Sequence, residues 1–433
     1  ADEWCARLPF SAPAMSLETH IAGAEDKLLD SLHFAGKTSA SYVTERRSVS
    51  FAPQAASNFT PQGVRLMRFN LADQTGWLEG NTLRLVMTIH NATANPLRPV
   101  VDSPASMFRR VRIIGNGSAM IEDIEEYGRV HEMFSLLQSP QRRYNQHAEG
   151  WGSTDVTSST FNDPGRPDPI PGNSARTVVV KLLSSFLTQG KAIPLNMVPV
   201  VIELELAGAD DAFEGTGNSW YITQPRLVAD VLTLDNALQN SYASHILQGK
   251  QLPFMMHGLY SIRATIPPGS TLYSLPIARG FTRLSTAYIT FWDSTGKYVN
   301  RFNSIVQLGA GNPNTTETDG ASWNITVGAD RYPEFDVSST QESWYRLGLA
   351  QLMHTSKDSF SISPYQYRTD KFIAGMSFEK ALGQAGHSGV NTRSGSQLTF
   401  NIRGLPPSIN TIHVVLHYEC AVNVSAAGIE VLD

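Results

Sequence analysis

Leu83-Arg84-Leu85-Val86-Met87-Thr88-Ile89-His90 places leucine, methionine and isoleucine at every second position, against arginine, threonine and histidine between them. In a strand, alternate side chains point to opposite faces, so this stretch reads as a half-buried β-strand and not as a helix. The same twofold period recurs on both sides of it. Val111 and Ile113 alternate with Arg110 and Arg112, and Ile202, Leu204 and Leu206 alternate with Val201, Glu203 and Glu205, with Pro199 marking that strand's start. Leu227–Leu234 is a further strand. Clusters of Gly, Pro, Asn and Asp separate these short runs, the pattern of an antiparallel sandwich rather than of βαβ units.

Near residue 235 the period turns helical. Asp235 is placed to cap, Leu238, Tyr242 and Ile246 fall four apart, and Gly249 follows as a stop. The strand pattern then restarts with Tyr260, Ile262, Ala264 and Ile266, with Ala287, Ile289 and Phe291, with Leu398, Phe400 and Ile402, and with Ile412, Val414, Leu416 and Tyr418. A chain of 433 residues exceeds the ~250–300 at which one core usually stops growing. The predicted organisation is an arm over residues 1–60, a β-sandwich over 61–234, a helical connector over 235–250 and a second sandwich over 251–433. Each sandwich is expected to hold one helix, Ile124–Leu137 in the first and roughly Glu342–Met353 in the second, then a long loop and two closing strands. Tyr127, Arg129 and Val130 align with Trp344, Arg346 and Leu347 at a constant offset. Long polar loops are expected at 145–176, 309–323 and 381–396, on the surface or against partners.

In the arm, Leu17, Ile21, Ala24, Leu28 and Leu32 recur at spacings of four, three, four and four. That is the stripe of an amphipathic helix. Leu17, Ile21, Leu28 and Leu32 are therefore candidate interaction residues, docking either on the chain's own sandwich or on another subunit or inner layer.

Composition bounds the remaining chemistry. Charged residues make up 17% of the chain and the net charge is −5, so no global basic field exists to hold nucleic acid and no specific nucleic-acid site is expected. The two cysteines, Cys5 and Cys420, lie at opposite ends, and unpaired thiols are expected. No apolar run reaches the ~18–20 residues of a spanning helix, and no leader pattern opens the chain.

Of eleven histidines, none shows metal spacing. His131 beside Glu132 reads as a surface or capping residue. His413 and His417 lie about 13 Å apart along one strand face, too far for one metal, and are expected to face solvent or a neighbouring subunit. Asn116-Gly117 reads as a hairpin turn, Asp210/Asp211/Glu214 as a solvated turn, Glu203/Glu205 as an exposed edge, and Arg46/Arg47 and Arg142/Arg143 as basic pairs. No nucleophile elbow or catalytic triad is apparent. The expected protein is not an enzyme and uses no cofactor or metal.

The stretch Val111–Phe134 (VRIIGNGSAMIEDIEEYGRVHEMF) resembles part of the double jelly-roll major capsid proteins of eukaryotic double-stranded DNA viruses and virus-like elements. That group spans polintons and virophages and, more distantly, adenoviruses and tectiviruses. Leu275–Phe291 (LPIARGFTRLSTAYITF) is similar to early strands of the family's second roll, and Pro194–Leu206 to the end of its first. The resemblance touches most of residues 62–425 and leaves the arm uncovered.

It implies an all-β fold of two tandem eight-stranded antiparallel jelly rolls, with short helices in the connections and an arm helix. It further implies pseudo-hexagonal homotrimers that tile an icosahedral virion shell. Implied partners are the chain itself and neighbouring trimers, penton and minor capsid proteins, and an inner membrane or inner layer reached by the arm. Synthesis would be in the host cytoplasm or nucleus. The competing reading is a secreted or cell-associated two-sandwich carbohydrate-binding protein or hydrolase, since sandwiches also host lectins. The seven Trp are scattered rather than clustered as in a sugar-binding face.

Overall fold

The expected half-buried strand is β5 (Arg84–Asn91), whose residues alternate between partly exposed and buried along its whole length. Its neighbours follow from a computed structural model describing residues 42–54, 57–74, 76–115, 119–152, 167–270, 272–293, 302–305, 321–351, 360–380, 388–393, 395–426 and 428–433. Before β5 come β1 (Val43–Phe51), β2 (Asn58–Phe59), β3 (Leu66–Leu71) and β4 (Gly76–Leu78). After it come β6 (Phe108–Gly115), β7 (Ala119–Glu125), β8 (Ala175–Val180), β9 (Ile193–Pro194), β10 (Val200–Leu206) and β11 (Trp220–Leu234). One sheet has β1 beside β11, β11 beside β5 and β5 beside β8, with β2, β4 and β9 as short additions; the facing sheet runs β3-β10-β6-β7.

The second set is β12 (Leu252–Thr265), β13 (Leu272–Ile277), β14 (Leu284–Trp292), β15 (Ser322–Val327), β16 (Asp330–Val337), β17 (Ala374–Ser377), β18 (Leu398–Arg403), β19 (Thr411–Ser425) and β20 (Gly428–Leu432). Its sheets run β12-β19-β14-β17 and β13-β18-β15-β16, with β20 added on β19. Taken in chain order, the eight principal strands of each set are wound identically. First, eighth, third and sixth form one sheet, and second, seventh, fourth and fifth form the other. That is a jelly roll, made twice.

Three longer helices punctuate the rolls: α1 (Tyr127–Leu136), α2 (Asn236–Leu247) and α3 (Thr340–Gln351). α1 and α3 each sit between the fifth and sixth strands of their roll, which gives the aligned Tyr127/Trp344 segments the same place in the winding. Val130 and Leu347 are both fully buried there. The α1 helix begins later than the periodicity suggests, because Ile124 belongs to β7. In α2, Asp235 accepts from Ala237 N at 3.0 Å, Tyr242 packs on Trp77 at 5.0 Å between centroids, and Gly249 takes a φ of +78°.

The expected arm boundary at residue 60 is too late. β1 pairs with β11 from Val43 to Phe51 and is the first strand of the first roll. Its exposed, charged segment hides the twofold period. Arg46 reaches Glu79 and Asp230, and Arg47 reaches Asp73, so that basic pair meets acids of its own chain. The arm residues Leu17, Ile21, Leu28 and Leu32, together with Cys5, lie outside the described residues.

Other expectations shift for similar reasons. Glu203 lies on a central strand, not an edge, buried between Arg112 at 3.0 Å and Arg68 at 3.5 Å. β6 and β7 pair as a hairpin, with Asn116 and Gly117 themselves outside the described residues. The ends of the first long loop are packed rather than exposed: Trp151 and Ile170 are buried, the Trp151 indole donates to Asp102 O at 2.9 Å, and Ile170 bridges to Leu97. Cys420 is a buried free thiol, pushed up to about 12 by burial.

Within β12, Gly258 lies opposite Tyr418. A Cβ there would sit 2.4 Å from Tyr418 Cζ, and the ring is held by Arg279, which donates to its hydroxyl at 2.9 Å. Gly258→Ala is therefore expected to lower stability by about 1–3 kcal/mol, read as a shift in the denaturant midpoint.

Candidate assembly site: the seam between the rolls

The β14 strand is buried at every residue, and β19 is buried from Thr411 to Cys420. A sheet covered on one side only would alternate. The second cover comes partly from the first roll, through α1 on β14 and through β7 and the helical turn Ser185–Thr188 on the neighbouring β12. It comes partly from the second roll's own α3, where Gln351 donates to the Tyr288 hydroxyl at 2.9 Å. Phe134 meets Tyr288 edge-on at 5.5 Å, and Phe186 meets Phe254 at 6.1 Å. Polar groups cross the same seam. Arg263 pairs with Glu126 at 2.9 Å, Lys191 Nζ donates to Pro253 O at 2.7 Å, and Ser361 N donates to Leu136 O at 2.8 Å.

This seam overturns the expectation for His413 and His417. Both are buried, and His413 faces the chain's own first roll. Ser261 Oγ donates to Glu125 O at 2.8 Å, so His413 Nε2 donates to Ser261 Oγ across 2.7 Å. Burial, with Arg129 and Arg263 nearby, lowers His413 to about 3. The His417 ring lies tilted against that of His257 at 5.0 Å between centroids, and Ser285 Oγ donates to the His417 carbonyl at 2.7 Å.

The first roll braces α1 with buried charge. Arg143 Nη2 lies 2.8 Å from Glu132 Oε1 and 3.5 Å from Asp102 Oδ2, with 7% of its side chain exposed. It is thus no free basic patch. Burial raises Glu132 despite this partner. His131, expected at the surface, is held at both ring nitrogens: Ser103 Oγ at 2.7 Å from Nδ1 and Lys181 O at 3.2 Å from Nε2. Burial lowers it to about 4. Glu122 accepts from Ser184 Oγ, Ser185 N and Phe186 N, fastening the Ser185–Thr188 turn that packs on β12, and burial raises it.

None of these groups forms a reactive constellation. His131 and His413 are held by local hydrogen-bond partners, and no group of three or more metal-ligating side chains occurs among the described residues. No described helix is long and apolar enough to cross a membrane. What the arrangement does is join two rolls through packed apolar and polar contacts, leaving exposed aromatic side chains elsewhere on the second roll. Phe335 and Tyr345 flank Arg346 there, at 5.4 and 5.7 Å from its guanidinium carbon. Periodicity alone could not find the seam, since it shows which residues share a face but not what covers that face.

Neither a protein-family model nor a curated protein sequence matches the chain. Its fold is matched nearly end to end. The PBCV-1 virus capsid structure aligns at TM-score 0.60 and 13% identity, over 91% of this chain and 98% of that one. The Faustovirus major capsid protein aligns at 0.56 and 9% identity, over 96% and 95%. The mavirus major capsid protein aligns at 0.52 and 10% identity, over 94% and 96%. The topology and these alignments together establish that the chain has the double jelly-roll fold of viral major capsid proteins.

Proposed function

We propose that this chain is a major capsid protein, three copies forming a pseudo-hexagonal trimer and trimers tiling an icosahedral shell. The observation that carries this reading is the end-to-end match of both rolls, in tandem, to major capsid proteins. The seam supports it physically. A shell tile needs two rolls at a fixed angle, and buried faces on both sides of the β14–β19 pair supply that fixity. One interface repeated around a threefold axis closes three copies, and two alike rolls per copy make the outline near-sixfold. Exposed Phe335, Tyr345 and Tyr365 suit surfaces that a neighbouring copy covers.

In this reading the protein resides in the virion and its role is structural. Its partners are itself, penton and minor capsid proteins, and an inner layer reached by Leu17, Ile21, Leu28 and Leu32. Size-exclusion chromatography with light scattering tests the trimer: a mass three times that of the chain is expected, and a monomer at capsid-like concentrations contradicts it. Deleting residues 1–40 is expected to leave that trimer intact while impairing shell assembly. A truncated chain that cannot fold would show that the arm is part of the core.

A further inference from the structure

A cleft of about 230 Å³ opens across the seam at the start of α1, lined by Ser106, Arg109, Gly128 and Arg129 from the first roll and by Arg263 and Trp292 from the second, among others. The Arg129 guanidinium carbon lies 4.0 Å from the Trp292 ring centroid and that of Arg263 5.7 Å. Trp292 is thus a platform that holds two like charges near each other. Arg109 is exposed, and its side chain has no hydrogen-bond or ion-pair partner among the described residues. Two carboxylates, Glu126 and Asp211, also line the cleft. Glu126 is engaged by Arg263 at 2.9 Å. Three guanidiniums therefore face two carboxylates, leaving positive charge in excess.

A second observation is independent of this charge. Ser106 lines the cleft and is 6% exposed, and its buried Oγ has no hydrogen-bond partner. A buried hydroxyl without a partner is unfavourable unless something supplies one. The first turn of α1 adds its positive end beside Gly128, with no side-chain cap at Glu126.

We propose that this cleft binds a small phosphate-type oxyanion that bridges the two rolls, Arg109, Arg129 and Arg263 supplying charge and Ser106 Oγ a donor. A tetrahedral oxyanion accepts from several guanidiniums at once, which a carboxylate does less well. The cavity has room for a phosphate or pyrophosphate group with water. A ligand there touches both rolls and would lock the seam.

The test uses the full chain at pH 7.5, following the thermal unfolding midpoint during titration with inorganic phosphate, pyrophosphate or AMP. Sodium chloride at matched ionic strength is the control. A saturable rise with a phosphate species and none with chloride is expected; tighter binding of AMP would assign a phosphate ester, and tighter binding of phosphate or pyrophosphate the free anion. Arg109→Ala, on an exposed side chain, is expected to weaken the apparent affinity about tenfold. Ser106→Ala is expected to weaken it about threefold while leaving the ligand-free midpoint unchanged or higher. Midpoints that follow ionic strength alone, or affinities unchanged in both variants, overturn the proposal.

Discussion

Arg143→Met is expected to destabilise the protein by about 3–5 kcal/mol, the penalty for leaving a buried charge without its partner. The guanidinium is the counter-ion of Glu132 on α1 and of Asp102 in the loop before β6. Methionine fills much of the volume but takes this counter-ion away from both buried carboxylates. The loss has a pH signature. With Arg143 gone, Glu132 is expected to bind a proton more readily, so the deficit shrinks as pH falls and that carboxylate is neutralised. Urea unfolding of the wild-type and variant proteins at pH 7.5 and pH 5 measures both effects. A deficit below 1 kcal/mol at pH 7.5 would mean that the cluster is hydrated and does not brace α1.

The second large effect concerns acid and the seam. In an unfolded chain His413 takes up a proton near pH 6.5, whereas the folded seam holds it neutral down to about 3. Below pH 6.5 the unfolded state thus binds more protons, and stability falls by about 1.4 kcal/mol per pH unit until the folded value is reached. At pH 5 the loss from this residue is about 2 kcal/mol. His131, lowered to about 4, adds a slope of the same sign, while Glu122 and Glu132, raised by burial, run the other way. The informative quantity is therefore a difference. His413→Gln is expected to be less stable than wild type at pH 7.5, having lost the Ser261 bond, and the gap is expected to narrow by about 2 kcal/mol at pH 5. A gap independent of pH would show that the ring is protonated in the folded seam without penalty.

Much of the fold is written in twofold alternation, and it is legible where a strand has one wet face. β5 keeps its sequence-read position because hydrophobic residues occupy every second place and the residues between them stay partly exposed. β10 keeps its own by the same spacing, although only Glu205 escapes burial. β1 escapes because its charged residues face water and its pairing partner, β11, is far along the chain. β14 and β19 are recognisable as strands, but a second apolar face cannot be distinguished from a face awaiting a subunit. That ambiguity is why His413 and His417 read as solvent- or subunit-facing. The buried ion cluster was illegible for another reason. Arg143, Glu132 and Asp102 look like ordinary surface charges until folding brings the Pro140–Asn145 helix against α1. The cleft at Trp292 likewise needs both rolls in place before its arginines converge.

Imaging of the purified oligomer tests the central claim most directly. Class averages from negative-stain electron microscopy are expected to show a threefold particle with six lobes around its axis, two per chain, one for each roll. A particle with two lobes, or a threefold particle with only three, would contradict a shell tile built from paired jelly rolls.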